Sequence, residues 1–185
     1  MTGRWTALFE DLEAQAAAQD TLERAAEVED RARAEIGALT LAARLRGSVG
    51  APVLVRLAGD LALSGRIVRT GPDWTLLEED TTREAVVAHG HITAVRGLAR
   101  HSTMPEGIVE SRLGLRTVLR GIARDRSAVR IHLPTAAAVD ATIDRVGADF
   151  LEAATHPASE PRRRAEVRGV EVVALAAVVA VRRAG

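Results

Sequence analysis

Cysteine, lysine and tyrosine are all missing from this chain, and its only rings are two Trp and two Phe. Without cysteine there are neither disulfides nor thiolate metal sites. So few rings leave a core of Val, Ile, Leu and Ala, and give no platform for stacking single-stranded bases. Without lysine, all 25 basic residues are Arg, and 25 acidic residues bring the formal charge to zero. No bulk attraction to a polyanion is therefore expected. Exclusive use of Arg reads as the mark of a GC-rich coding sequence, because selection for bidentate anion recognition would need clustering. The longest apolar run, Val172–Val181, is too short for a membrane span and rich in β-branched Val. The first residues, MTGRWTALFEDLEAQ, carry acids and no apolar h-region, so no secretory signal is read there. A cytoplasmic protein without membrane contact is expected.

What the chain does have is a repeat. Residues 53–74 align without a gap on 129–150, with seven identities in 22 positions, among them Leu57/Leu133, Ile67/Ile143, Arg69/Arg145, Gly71/Gly147 and Asp73/Asp149. Residues 86–96 match 172–182 at six of 11 positions. A shuffled chain of this composition would match itself at roughly a tenth of positions, so a unit has been duplicated.

Helical spacing dominates residues 1–47, where Trp5, Leu8 and Leu12 and then Leu22, Ala25, Ala32, Ile36 and Leu39 make apolar stripes. Gly47, Gly50 and Pro52 end that segment. Period-2 alternation follows: Val53, Val55 and Leu57, a turn at Gly59-Asp60, a long second strand through Gly65 and Ile67, a turn at Thr70–Asp73, a third strand from Trp74, and short strands at Val86-Val87 and Ile92–Val95. The second copy repeats the order behind a helix over about 108–124, and carries roughly ten extra residues at 156–168. The domains read as a helical segment 1–47, a first unit 48–98, a linker 99–107, and a helix plus second unit 108–185.

A helix followed by five short bent strands, with Leu57-Ala58-Gly59, Gly65-Arg66-Ile67, Asp73-Trp74-Thr75-Leu76-Leu77 and Val87-Ala88-His89-Gly90-His91-Ile92-Thr93, resembles the Sm-like small β-barrels of the Sm, LSm and Hfq proteins. The plan is also similar to helix-plus-two-barrel proteins of GC-rich bacteria. The resemblance implies an α+β fold: an N-terminal helical segment, then two Sm-like barrels of five antiparallel strands, the second preceded by its own helix. It further implies self-association through strand edges and an RNA-reading turn between the last two strands. That turn is Ala88-His89-Gly90-His91 in one copy and Ala174-Leu175-Ala176-Ala177 in the other, which offers no polar side chain. Ala141 and Thr135 stand where the first copy has Gly65 and Gly59.

The strongest candidate for chemistry is basic. Arg112, Arg116, Arg120 and Arg124 recur every four residues on the second helix, and Arg126 and Arg130 extend the region. They could grip phosphates of a nucleic acid. Pairing with the acids of the first segment (Glu10, Asp11, Glu13, Glu23, Glu27, Glu29 and Asp30) is the preferred alternative. Arg162-Arg163-Arg164 makes a second basic spot in the insertion. His89 and His91 could pair on a metal but lack a third ligand at suitable spacing. His132 reads as an outward strand position, and His101 and His156 as loop residues. The repeated Asp73 and Asp149 read as turn-formers, and no serine has a nucleophile context. No enzyme, cofactor or metal is expected. The leading reading is a non-enzymatic binding or scaffold protein that pairs with another protein or with itself, and the alternative is an RNA- or DNA-binding regulator using the Arg-rich helix.

Overall fold

The computed structural model describes residues 36–81, 83–99, 113–156 and 169–183, together with scattered positions before 36. Two compact units divide the chain, Met1–Leu39 and Thr40–Gly185. In the first, the described positions from Leu8 to Ala38 are helical. Its acids find local partners: Arg31 lies 3.7 Å from Glu27, and Arg33 lies 3.4 Å from Glu29 and 3.3 Å from Asp30. These are fully solvated helix-spaced pairs, each contributing little.

The second unit begins with helix α1, Leu41–Arg46, whose start Thr40 caps by accepting from the Ala43 amide at 3.1 Å. Strands β1 (Pro52–Leu57), β2 (Ala62–Thr70), β3 (Trp74–Glu78), β4 (Glu84–Ala88) and β5 (Ile92–Arg96) follow. Helix α2 (Leu115–Asp125) opens the second half, with β6 (Ala128–His132), β7 (Ala138–Val146), β8 (Phe150–Thr155), β9 (Gly169–Ala174) and β10 (Ala180–Arg183) behind it. All ten strands belong to one antiparallel sheet in the order β5-β1-β2-β3-β4-β10-β6-β7-β8-β9.

This order corrects the expected fold. Two separate Sm-like barrels are not formed, and the architecture is one open sheet of ten strands carrying short helices. The physical reason lies in where the fourth and fifth strands of each half go. β4 and β5 sit on opposite sides of the first half, and β9 and β10 on opposite sides of the second. Instead of each half closing on itself, β4 satisfies its open backbone groups on β10, with Val87, Val86 and Ala85 opposite Ala180, Val181 and Arg182. An unpaired strand edge is a strong template for another strand, and here the two halves supply each other with one. The helix expected from about 108 is observed from Leu115, and residues 108–112 lie outside those described.

The duplication itself is plain in the geometry. Each half runs fifth, first, second, third, fourth strand. The second-to-third strand register slips between Ile67 and Arg69 in one half and between Ile143 and Arg145 in the other. Gly71 donates to the Trp74 carbonyl at 2.8 Å, and Gly147 to the Phe150 carbonyl at 2.8 Å. A Cβ on Gly71 would fall within 2.1 Å of the Trp74 ring, and one on Gly147 within 2.5 Å of the Phe150 ring. The repeated Gly-x-Asp-aromatic motif is thus a tight turn with its following ring folded back onto the glycine.

Two aliphatic cores result. Leu45, Val55, Leu63, Ile67, Leu77 and Val87 centre the first, which also takes Val179 and Ala180 from the second half. Leu119, Ile131, Ile143, Leu151, Val178 and Val181 centre the other. Ser48, at the end of α1, is buried, donates to the Arg44 carbonyl at 2.8 Å and accepts from the Ala99 amide at 2.9 Å. Its hydroxyl closes the first half structurally.

Candidate functional site: open sheet edges and helical arginines

One sheet of ten strands has two ends. β5 pairs with β1 and β9 with β8, and among the described residues no strand lies on the far side of either. β9 is the more apolar edge, with Val170 and Val172 63% and 64% exposed. The same tripeptide, Val-Val-Ala, occupies 86–88 in β4, where it is buried against β10. Val86 and Ala88 are therefore interior at the joint while their counterparts Val172 and Ala174 are exposed at the edge; Val173, like Val87, is buried. β5 exposes Ala94 and Arg96, and β9 exposes Glu171.

The six sequence-selected arginines separate into groups. Arg112 lies outside the described residues. Arg116, Arg120 and Arg124 project from α2 into solvent with no described carboxylate partner, while Leu119 on the opposite side is fully buried. Arg126 terminates α2 in the left-handed conformation and pairs with Asp144 at 2.9 Å. Arg130 grips Asp140 through two hydrogen bonds of 2.7 and 2.8 Å. That pairing holds the Asp140 carboxyl below its ordinary range and raises Arg130. Among the described residues the basic face left over is three residues long. Arg162-Arg163-Arg164 lies outside the described residues.

Asp73 does more than form a turn. Its carboxylate accepts the Leu115 amide at 2.8 Å, capping α2, while the Trp74 indole donates to the Leu113 carbonyl. The second-half helix is thereby anchored on the first half. Under α2, at the β4–β10 joint, is a cleft of about 290 Å³ lined by Leu76, Val86, Val118, Ile122 and Val181, with Glu84, Asp125 and Arg183 at its rim. No histidine lines it among the described residues.

The histidines have structural partners. His89 hydrogen-bonds the Thr75 hydroxyl at 2.8 Å, and His91 donates to the Ala176 carbonyl at 2.8 Å, linking the 3-10 turns of the two halves. Among the described residues no group of three potential ligands could hold a metal. His156, expected in a loop, lies just past the end of β8, and it is buried there and bonded to the Thr142 hydroxyl at 2.9 Å. Nothing in its Pro-rich surroundings signals that burial. His101 lies outside the described residues.

His89 is held below its ordinary value chiefly by burial. His132 is lowered by burial and by Arg182 and Arg130, and its Nε2 is buried without a partner. The unfolded chain therefore takes up protons at these positions before the folded one does. Stability is full above pH 6.5, the unperturbed value, and declines as pH falls from there toward the folded values. A melting temperature that drops between pH 7 and pH 5, and drops less in a His89→Gln/His132→Gln double variant, is the expected result.

No protein-family model matches the chain, and no curated protein matches it at a significant level. Among the described residues no helix is long and apolar enough to cross a membrane.

Proposed function

We propose that this chain is a non-enzymatic binding or scaffold protein that engages its partner by strand addition at its open sheet edges. The observation that carries the reading is β9: an edge strand whose Val170 and Val172 are solvent-exposed, although Val86, the counterpart of Val172, is buried where another strand covers it. Backbone groups along such an edge supply affinity, and alternating side chains supply selectivity. Placing charge on the edge should abolish the activity without unfolding the chain. Light scattering and affinity capture on the wild type and on Val170→Lys/Val172→Lys test this. Binding lost in the variant supports the reading, and a wild-type chain with neither a stable partner nor self-association contradicts it.

Arg116, Arg120 and Arg124 favour a second reading, binding to the phosphates of RNA or DNA, because among the described residues no carboxylate pairs with them as Asp144 and Asp140 pair with Arg126 and Arg130. Neutralising three phosphate contacts would make affinity fall steeply with salt. An Arg116→Ala/Arg120→Ala/Arg124→Ala variant would flatten the dependence of log affinity on log salt by about 2 units for a single strand. Absence of binding to pooled cellular RNA at low salt removes this reading.

A further inference from the structure

The duplication makes the inner joint a template for the outer edges. Strand registers identify the counterparts residue by residue. Trp74 faces Ala88 in the first half as Phe150 faces Ala174 in the second, so β9 is the counterpart of β4. Arg56, Val55 and Leu54 face Ala94, Val95 and Arg96, as His132, Ile131 and Arg130 face Ala180, Val181 and Arg182. β5 is thus the counterpart of β10. Within the chain β10 joins β4, with Ala180, Val181 and Arg182 opposite Val87, Val86 and Ala85. Replacing each residue by its counterpart sets Ala94, Val95 and Arg96 of one molecule opposite Val173, Val172 and Glu171 of another.

We propose that β9 pairs antiparallel with β5 of a second copy of this chain in that register, continuing the sheet from molecule to molecule. The proposal rests on the edge-binding reading above and names its partner. Three observations converge on it. First, both strands lie at ends of the sheet and are not hydrogen-bonded to each other within the molecule. Second, apolar residues exposed on both edges have buried counterparts at the joint: Val172 is 64% exposed against 7% for Val86, and Ala94 is exposed where Ala180 is at 0%. Third, the transposed register is charge-complementary. At the inner joint Arg182 faces Ala85 and takes its carboxylate from Glu79, whereas at the outer joint Arg96 would face Glu171 directly.

The two surfaces differ, so the contact is heterologous. Each added copy brings one free β5 and one free β9, and growth stops only when a ring closes. Because every copy contributes both edges, the assembled sheet would alternate inner and outer joints with the same backbone pairing.

Light scattering of the full chain across micromolar concentrations should give masses that are multiples of the 19.7 kDa chain. Arg96→Glu and Glu171→Arg, both at exposed positions, should each weaken association roughly tenfold by opposing like charges, and the double variant should restore it. The cysteine-free background allows a direct test of register. Under mild oxidation, Val95→Cys chains mixed with Val172→Cys chains should form a covalent dimer well ahead of Val95→Cys mixed with Val170→Cys, two residues out of step. A wild-type chain that stays monomeric overturns the proposal. If a monomer nevertheless binds another partner that Val170→Lys/Val172→Lys loses, the edge-binding reading survives alone. Association that ignores both charge reversals, or crosslinks no faster in register than out of it, also overturns the proposal.

Discussion

Gly65→Ala is expected to destabilise the second unit by about 3 kcal/mol, although it adds a single methyl group. Gly65 lies in β2, where a Cβ would stand 2.5 Å from the Glu78 carbonyl oxygen and 3.0 Å from its carbon. The obstacle is backbone of the neighbouring strand, which cannot rotate away as a side chain would. Either the β2–β3 register opens or Glu78 shifts together with the chain leading to Glu79. The duplication supplies an internal control. Ala141 holds the equivalent place in β7, is fully buried and keeps its methyl. Ala141→Gly should therefore cost only about 1 kcal/mol, from lost packing and added freedom in the unfolded chain. Chemical denaturation of the two variants measures the contrast. Equal effects at the two positions would show that the strands do not approach as closely as described.

Arg182→Ala is expected to cost about 2–3 kcal/mol. Arg182 on β10 holds Glu79, beyond the end of β3, through hydrogen bonds of 2.8 and 3.0 Å. The Glu79 side chain is only 12% exposed and that of Arg182 28%. Removing the guanidinium leaves a carboxylate mostly out of water without its cation, and the penalty comes from that stranded charge more than from the attraction lost. The partial exposure of Arg182 places the figure below that of a fully buried pair. Glu79→Gln in the Arg182→Ala background should recover part of the loss, because the amide tolerates the site without a counter-charge. The pair spans the two halves, so its removal should also broaden or split a single unfolding transition. By contrast Arg130→Ala, breaking a more exposed pair within one half, should cost about 1 kcal/mol or less.

Much of this fold could be read from residues alone. Alternation at Val53, Val55 and Leu57 located β1, and the paired Gly-x-Asp-aromatic motifs located the turn before β3 and β8, because each signal is local. Burial at the joint left no comparable signal. Val86-Val87-Ala88 and Val172-Val173-Ala174 are the same tripeptide, yet the first is interior and the second largely exposed. Which of two equal edges finds a partner depends on where distant strands are carried, and side-chain pattern does not encode that. The expectation of two separately closed barrels failed on the overall architecture: β4 and β5 lie on opposite sides of the first half, β4 pairs with β10, and the ten strands make one open sheet. A weak cue was present in the unbroken apolar run Val178–Val181, since a strand without alternation is covered on both faces.

The arginine stripe was only partly legible. Four-residue spacing placed Arg116, Arg120 and Arg124 together on α2, as observed. Their grouping with Arg126 and Arg130 followed sequence proximity, but the chain leaves the helix at Arg126 and meets Asp144 and Asp140 on β7. The side-chain role of Asp73 was hidden likewise, because its partner, the Leu115 amide, is 42 residues away.

Cross-strand nuclear Overhauser contacts in the full chain test the joined sheet most directly. Contacts linking Val86 to Val181 and Val87 to Ala180 are the predicted result. Contacts from β4 to β5 and from β9 to β10 in their place, with none between β4 and β10, would mean that each half closes separately and would contradict the account.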